Sequence, residues 1–198
     1  MNDDPGIRFA LPPGFTPLPL PLPPAPPEAL AHLLDTAPDD TARQRFGAVV
    51  TGAGVLLGAL CAQGTVHCSL GLHRDDSGIG GAAAPLLSLF TVTWVDTAWA
   101  PRAVTAARAV ASAEGHTQVE YAELPCGPAS LSETVRVTGP RPLLQVHAHV
   151  PHPDGTSLAY LTLSTPATPH RPHYRALLRQ VAASLRFEDH LTARPTPE

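Results

Sequence analysis

The clearest pattern in the chain lies in its last third, where an alternating segment is followed by an amphipathic one. Residues 159–165 alternate apolar and polar side chains and end in Thr-Pro, which is typical of a strand with one buried face. The segment from Pro172 to Ser184 then places its apolar residues at helical spacing. These apolar residues are Tyr174, Leu177, Leu178, Val181 and, just beyond the segment, Leu185. The pattern predicts a helix that buries one stripe on a core.

Period-two alternation also predicts the rest of a sheet. The strand predicted after residue 64 has an apolar face, made by Val66, Cys68, Leu70 and Leu72. Further strands are predicted at 85–95, 117–124, 130–138, 143–150 and 157–165, with a helix over 100–114. Short turns rich in proline and glycine separate the last four strands, which indicates antiparallel neighbours.

The N-terminal third has a different composition. Ten of the first 27 residues are proline, so this stretch favours polyproline II, either laid across the domain or offered to a proline-binding module. We predict a proline-rich arm over 1–27 and a helical segment packed on the domain over 28–63. The sheet domain is predicted over 64–189, followed by a flexible tail over 190–198.

An uncharged stretch runs from Phe46 to Ala62 and contains the motif Gly54-x-x-x-Gly58, which is found in membrane helix pairs. It is at the lower limit of the length that spans a bilayer and is rich in glycine and alanine instead of leucine. We therefore expect a core helix and no membrane insertion. A peripheral membrane anchor through this stretch is the alternative.

Composition narrows the classes of function. The chain is 43% hydrophobic and 15% charged, as in globular proteins, and its net charge of −4 gives no global attraction to nucleic acid. All 13 basic residues are arginine, which favours a GC-rich, actinomycete-like genome. The first residues lack a signal-peptide pattern, and the three cysteines have no metal-type spacing. We expect a cytoplasmic protein with no cofactor.

The order of elements predicts an α+β fold. It is an α/β/α sandwich around one mainly antiparallel sheet of about six strands, with helices before, within and after it. From about Gly64 to Asp189 the chain resembles the PsbP-like superfamily, which includes the Ran-binding Mog protein. The resemblance rests on Thr93-Trp94 before a helix, on the turn from Leu124 to Ala129, and on the closing helix that ends in Leu-Arg-Phe. It implies a binding or assembly role, because this superfamily lacks a shared catalytic centre.

Two groups of side chains are candidate sites. His147 and His149 lie two apart on a predicted strand and point away from its apolar face, and His67 lies on the polar side of another strand. These three imidazoles are candidate zinc ligands if the strands are neighbours, and the alternative is that they are ordinary solvent-facing or helix-covered residues. Arg171, Arg175 and Arg179 follow the helix face opposite the apolar stripe. They form either a solvated face or a ridge that binds an acidic partner.

No phosphate-binding loop, nucleophile elbow or zinc-protease motif is present. We therefore predict a non-enzymatic, protein-binding or chaperone-like adaptor, with a link to bacterial secretion as one form of it. The alternative is a small metal-dependent hydrolase that uses the three histidines.

Overall fold

The computed structural model describes residues 6–20, 40, 44, 55–73, 86–112, 115–137 and 142–188. The strands are β1 (Ile7–Arg8), β2 (Phe15–Leu18), β3 (Thr65–His73), β4 (Leu86–Asp96), β5 (Thr117–Leu124), β6 (Gly127–Arg136), β7 (Leu143–Pro151), β8 (Ser157–Thr165) and β9 (Arg186–Phe187). The helices are α1, described over residues 55–62, α2 (Arg102–Ala111) and α3 (Arg171–Ser184), the last preceded by a 3-10 turn (Thr168–His170).

The predicted fold class is confirmed. Seven antiparallel strands form one sheet in the order β2-β3-β4-β8-β7-β6-β5, and α2 and α3 pack on its opposite faces. The count is seven and not about six because Phe15–Leu18, in the proline-rich arm, pairs with β3 as an edge strand. The sheet therefore includes residues ahead of the predicted domain boundary at residue 64. Residues 21–39 lie outside the described part of the chain.

The core lies between α3 and one face of the sheet. Every second residue of β7, from Leu144 to Val150, is fully buried there, together with alternate residues of β4 and β8. Leu178 and Leu185 have no exposed surface, so the predicted stripe of α3 is confirmed. The helix ends at Ser184 because Leu185 adopts an extended backbone, which leads into β9.

The N-terminal residues cover the part of this core that α3 does not reach. β1 pairs with β9, and the rings of Phe9 and Phe15 pack edge-on against Phe90 at centroid distances of 5.5 and 6.4 Å. The first described residues are thus integrated into the hydrophobic core, where aromatic burial contributes strongly to stability.

A β-bulge in β3 reverses the predicted faces of that strand. Thr65 pairs with Thr93, but His67 pairs with Val92, so Val66 is an extra residue on β3. One extra residue moves every following side chain to the other face of the sheet. Leu70 and Leu72 are exposed as a result, so the apolar face predicted for this strand is turned away from the core.

The core side of β3 instead needs small residues. A Cβ added at Gly71 would lie 2.8 Å from the Phe15 ring, which leaves no space for a larger side chain. Ser69 is likewise fully buried, and it is paired in register with Phe90 of β4. The polar series of β3 thus faces the core because the phenylalanine rings of the arm and of β4 supply the apolar surface there.

No helix in the described part of the chain is both long and apolar enough to cross a membrane. Of the uncharged stretch from Phe46 to Ala62, residues 46–54 lie outside that part and residues 55–62 form α1.

The core placement of α3 predicts a large stability difference between two leucines. Leu178→Ala leaves a cavity in the core and is expected to lower the free energy of unfolding by about 2 to 5 kcal/mol. Leu72→Ala is the matched control, because Leu72 is 58% exposed and its truncation is expected to stay within about 0.5 kcal/mol. Urea unfolding of both variants measures the difference. Equal losses would contradict the packing of α3.

Candidate functional site

The face of the sheet opposite the core carries polar side chains in registered rows across β6, β7 and β8. We call it the polar face. Its three rows are Ser130, His149 and Tyr160, then Ser132, His147 and Thr162, then Thr134, Gln145 and Ser164. The rows form because β7 and β8 alternate strictly, so a packed core on one side requires the intervening residues to point to the other. The predicted orientation of His147 and His149 away from the apolar face is therefore confirmed.

Four rings stack on the polar face. His147 lies between His116 and Tyr160, with ring centroids 4.8 and 5.3 Å apart and planes within 29° of parallel. His149 also stacks on Tyr160, with their ring centroids 4.7 Å apart. His147 and His149 are each only 3% exposed, so the rings form a packed layer and not a solvated surface.

Hydroxyl groups hold these imidazoles in place. His147 Nδ1 lies 2.8 Å from the Tyr160 hydroxyl and its Nε2 lies 3.1 Å from Thr134 Oγ1. Ser130 Oγ donates to the Ala106 carbonyl of α2 at 2.8 Å, so it must accept the hydrogen bond from His149 Nδ1 at 3.3 Å. This chain of bonds connects the imidazole layer of the sheet to the backbone of α2.

Burial keeps both imidazoles uncharged. Desolvation, with smaller effects from His116, His149 and Arg136, lowers the pKa of His147 to about 3. Desolvation and His116 lower the pKa of His149 to about 4. Near pH 7 these residues are neutral hydrogen-bonding groups, and their pKa values are too low for efficient acid-base catalysis at that pH.

His67 does not join this cluster. Because of the β-bulge, it lies on the core face, 4.9 Å from the Phe9 ring and 2.7 Å from Ser69 Oγ. The predicted convergence of His67 with His147 and His149 is therefore wrong. Among the described residues, no group of three or more histidine, cysteine, aspartate or glutamate side chains could hold a metal ion.

Sequence reasoning missed two members of the layer. Tyr160 was within reach of prediction, since the short turn between β7 and β8 sets a register that places Tyr160 beside His149. His116 carried no signal, because it precedes β5 outside any periodic segment.

The three arginines of α3 form ion pairs within the chain. Glu133 of β6 is completely buried, and its two carboxylate oxygens lie 3.2 Å from Arg171 Nη1 and 3.3 Å from Arg175 Nη1. Arg179 pairs with Glu120 of β5, where both side chains are substantially exposed. The expectation of a merely solvated face is wrong for Arg175, because α3 lies over strands whose glutamates point toward it.

The burial of Glu133 predicts unequal effects for these arginines. Arg175→Met keeps an apolar stem but removes one of the two cations that pair with the buried Glu133 carboxylate, and it is expected to cost about 2 kcal/mol of unfolding free energy. Arg179→Met removes only a surface pair and is expected to cost less than about 1 kcal/mol. Glu133→Leu added to Arg175→Met should recover part of the loss, because it removes the buried carboxylate oxygen that has lost its partner. Urea unfolding that gave the two arginine variants equal losses would contradict this assignment.

The helix that covers part of the polar face is fixed at its start by Arg102. Its guanidinium donates to the Pro151 carbonyl, with Nε 3.1 Å away, and to the Cys126 carbonyl. Gly127 follows with a φ of +119°, and a side chain there would meet the guanidinium. The Pro-Cys-Gly-Pro turn therefore serves to anchor α2, and burial raises the pKa of the Cys126 thiol above its usual range.

Neither a protein-family model nor a curated protein matches the chain.

The neutral imidazoles predict an acid-dependent loss of stability. Their pKa values are lowered in the folded state, so below the ordinary value of 6.5 the unfolded chain binds more protons. The free energy of unfolding should therefore be fully retained above about pH 6.5. Between about pH 6 and 5 it should fall by roughly 2 to 3 kcal/mol per pH unit for the two residues together.

Urea midpoints at several pH values between 7.5 and 5 measure this slope. His147→Gln removes one titration and should reduce the slope by about 1 kcal/mol per pH unit. An unchanged slope in that variant would show that other groups cause the acid sensitivity.

Proposed function

We propose that the chain is a protein-binding module without catalytic chemistry of its own, acting as an adaptor of the chaperone-like kind. Its docking surface is the outer side of α2 together with Trp99 and Tyr121, which we call the α2 surface. The partner is a protein that presents an apolar patch to this surface.

The observation that carries the proposal is the apolar character of a helix side that faces solvent. Trp99, shortly before α2, is 71% exposed and Tyr121 is 63% exposed, and Ala103 and Val104 are exposed on α2 itself. Tyr121 lines a cleft together with Ala103, so it lies beside the helix. Exposed tryptophan and tyrosine next to an apolar patch are typical of binding hot spots and are unusual on surfaces that only face water.

The loop that presents Trp99 is held in place before any partner binds. The Thr97 amide donates to the Thr156 carbonyl at 2.7 Å, and the Ala100 amide donates to the Gly155 carbonyl at 3.2 Å. Asp154 in turn accepts a hydrogen bond from the Thr156 amide at 2.7 Å. A surface that is already ordered loses less conformational entropy on binding, which supports a docking role.

Two further points support binding over catalysis. The buried imidazoles are uncharged, and both nitrogens of His147 bond to hydroxyls. His67, the third histidine of the alternative hydrolase, lies on the other face of the sheet. The resemblance to the PsbP-like superfamily, whose members share no catalytic centre, agrees with a binding role.

The test compares the α2 surface with a matched control. The chain carrying a photoreactive residue at Val104 is expected to cross-link one partner reproducibly in the native host. Trp99→Ala and Tyr121→Ala should each abolish this adduct. Val137→Ala should not, because Val137 is apolar and 76% exposed but lies just past the end of β6 that is remote from the start of α2.

Two outcomes would overturn the proposal. One is an adduct that persists in both aromatic variants, and the other is the absence of any adduct. A second copy of the chain could occupy the α2 surface instead of a different protein. Light scattering of the purified chain would identify this case if Tyr121→Ala converted a dimer to a monomer.

A further inference from the structure

A second cleft lies on the other side of α2, between the helix and the ends of β4 and β8. We call it the α2 cleft. Its volume is about 680 Å³, within the range of small-molecule sites, and its walls include Val95, Ala109 and Leu158. His149 and Tyr160 of the ring layer contribute to its lining. The cleft is therefore mainly apolar, with a few polar groups at defined places.

Two hydroxyl groups in this cleft have no hydrogen-bond partner among the described residues. Thr105 is 4% exposed, and its Oγ1 is buried without a partner in the described part of the chain. Thr97 Oγ1 is also buried without a partner among those residues, and both threonines line the cleft. The carbonyl one turn before Thr105, that of Pro101, already accepts from the amides of Val104 and Thr105. Buried hydroxyls are normally bonded, so this pair points to a ligand that supplies the missing acceptors.

The charge of the cleft selects the ligand class. Arg108 lies three residues after Thr105, so both side chains project from the same side of α2 into the cleft. Within the described ranges, no carboxylate lines the cleft and none forms an ion pair with Arg108. The other titratable lining groups, His149 and Tyr160, are uncharged near pH 7. The guanidinium carries a full unit charge, which outweighs the roughly half charge of the helix C-terminus nearby.

We propose that the α2 cleft binds a medium-chain fatty acid. The carboxylate pairs with Arg108 and accepts a hydrogen bond from the Thr105 hydroxyl, and the alkyl chain lies against Val95 and Leu158. A guanidinium beside a hydroxyl donor matches the two oxygens of a carboxylate, and charge-assisted hydrogen bonds of this kind are the strong ones. This site is separate from the α2 surface, although both use the same helix.

Titration calorimetry of the full chain with octanoate and 1-octanol tests the proposal. Octanoate is expected to bind saturably at one site, about tenfold or more tighter than the alcohol, because only the acid pairs with Arg108. Arg108→Gln should weaken octanoate binding about tenfold and leave octanol unchanged. Thr105→Val should weaken octanoate without a change in unfolding midpoint large enough to indicate misfolding.

Two control variants test whether octanoate binding depends on the α2 cleft. Arg179→Gln, an arginine outside the cleft, and Tyr121→Ala, on the other side of α2, should both retain octanoate binding. Equal affinity for acid and alcohol, no saturable binding, or unchanged binding in Arg108→Gln would each overturn the proposal. Such a result would leave the cross-linking test of the α2 surface unaffected, because that test does not use the cleft.

Discussion

The packing of α3 on one face of the sheet is the constraint on which the other features depend. Leu144, Val146, Ala148 and Val150 alternate along β7 and are fully buried against that helix. A strand with this much buried surface on one side has no freedom of register, so the residues between must face the other side. The imidazole layer is thus a consequence of the core, and α2 closes over it through the hydrogen bond from Ser130 to Ala106.

Most of the fold could be predicted because its patterns are uninterrupted. The bounds of β8 agree with the prediction because that strand alternates without interruption, and the bounds of α2 differ by only a few residues. The bounds of β5 also agree, although its pairing with β6 shifts register between Thr117 and Glu120. β3 failed because a single extra residue, Val66, reverses the phase without leaving a mark in the composition. The environment of Arg175 could not be predicted for another reason. It depends on Glu133, which lies on a strand distant in sequence, and helical periodicity does not reveal that contact.

The partners of the buried histidines explain the chemical character of the site. Hydroxyls of Thr134, Thr162 and Tyr160 surround His147, and such groups satisfy a neutral imidazole by donating to one nitrogen and accepting from the other. A carboxylate partner would instead have stabilised the charged form and raised the pKa. The layer is therefore a buried polar core beneath α2, and the two proposed binding sites lie on either side of that helix. This division of roles could not be read from a His-x-His spacing.

The strand order also has a consequence for how the chain folds. β3 and β4 form one local unit, and β5 to β8 form another, in which consecutive strands are neighbours. The two units meet only where β4 pairs with β8, and this seam joins residues far apart in the chain, such as Asp96 and Ser157. Local pairings close short loops and form early, whereas distant pairings must first overcome the entropy of closing a long loop. During synthesis β4 therefore remains an open edge until β8 has emerged, so the nascent chain is most exposed to mispairing while α2 and the three strands after it are being made.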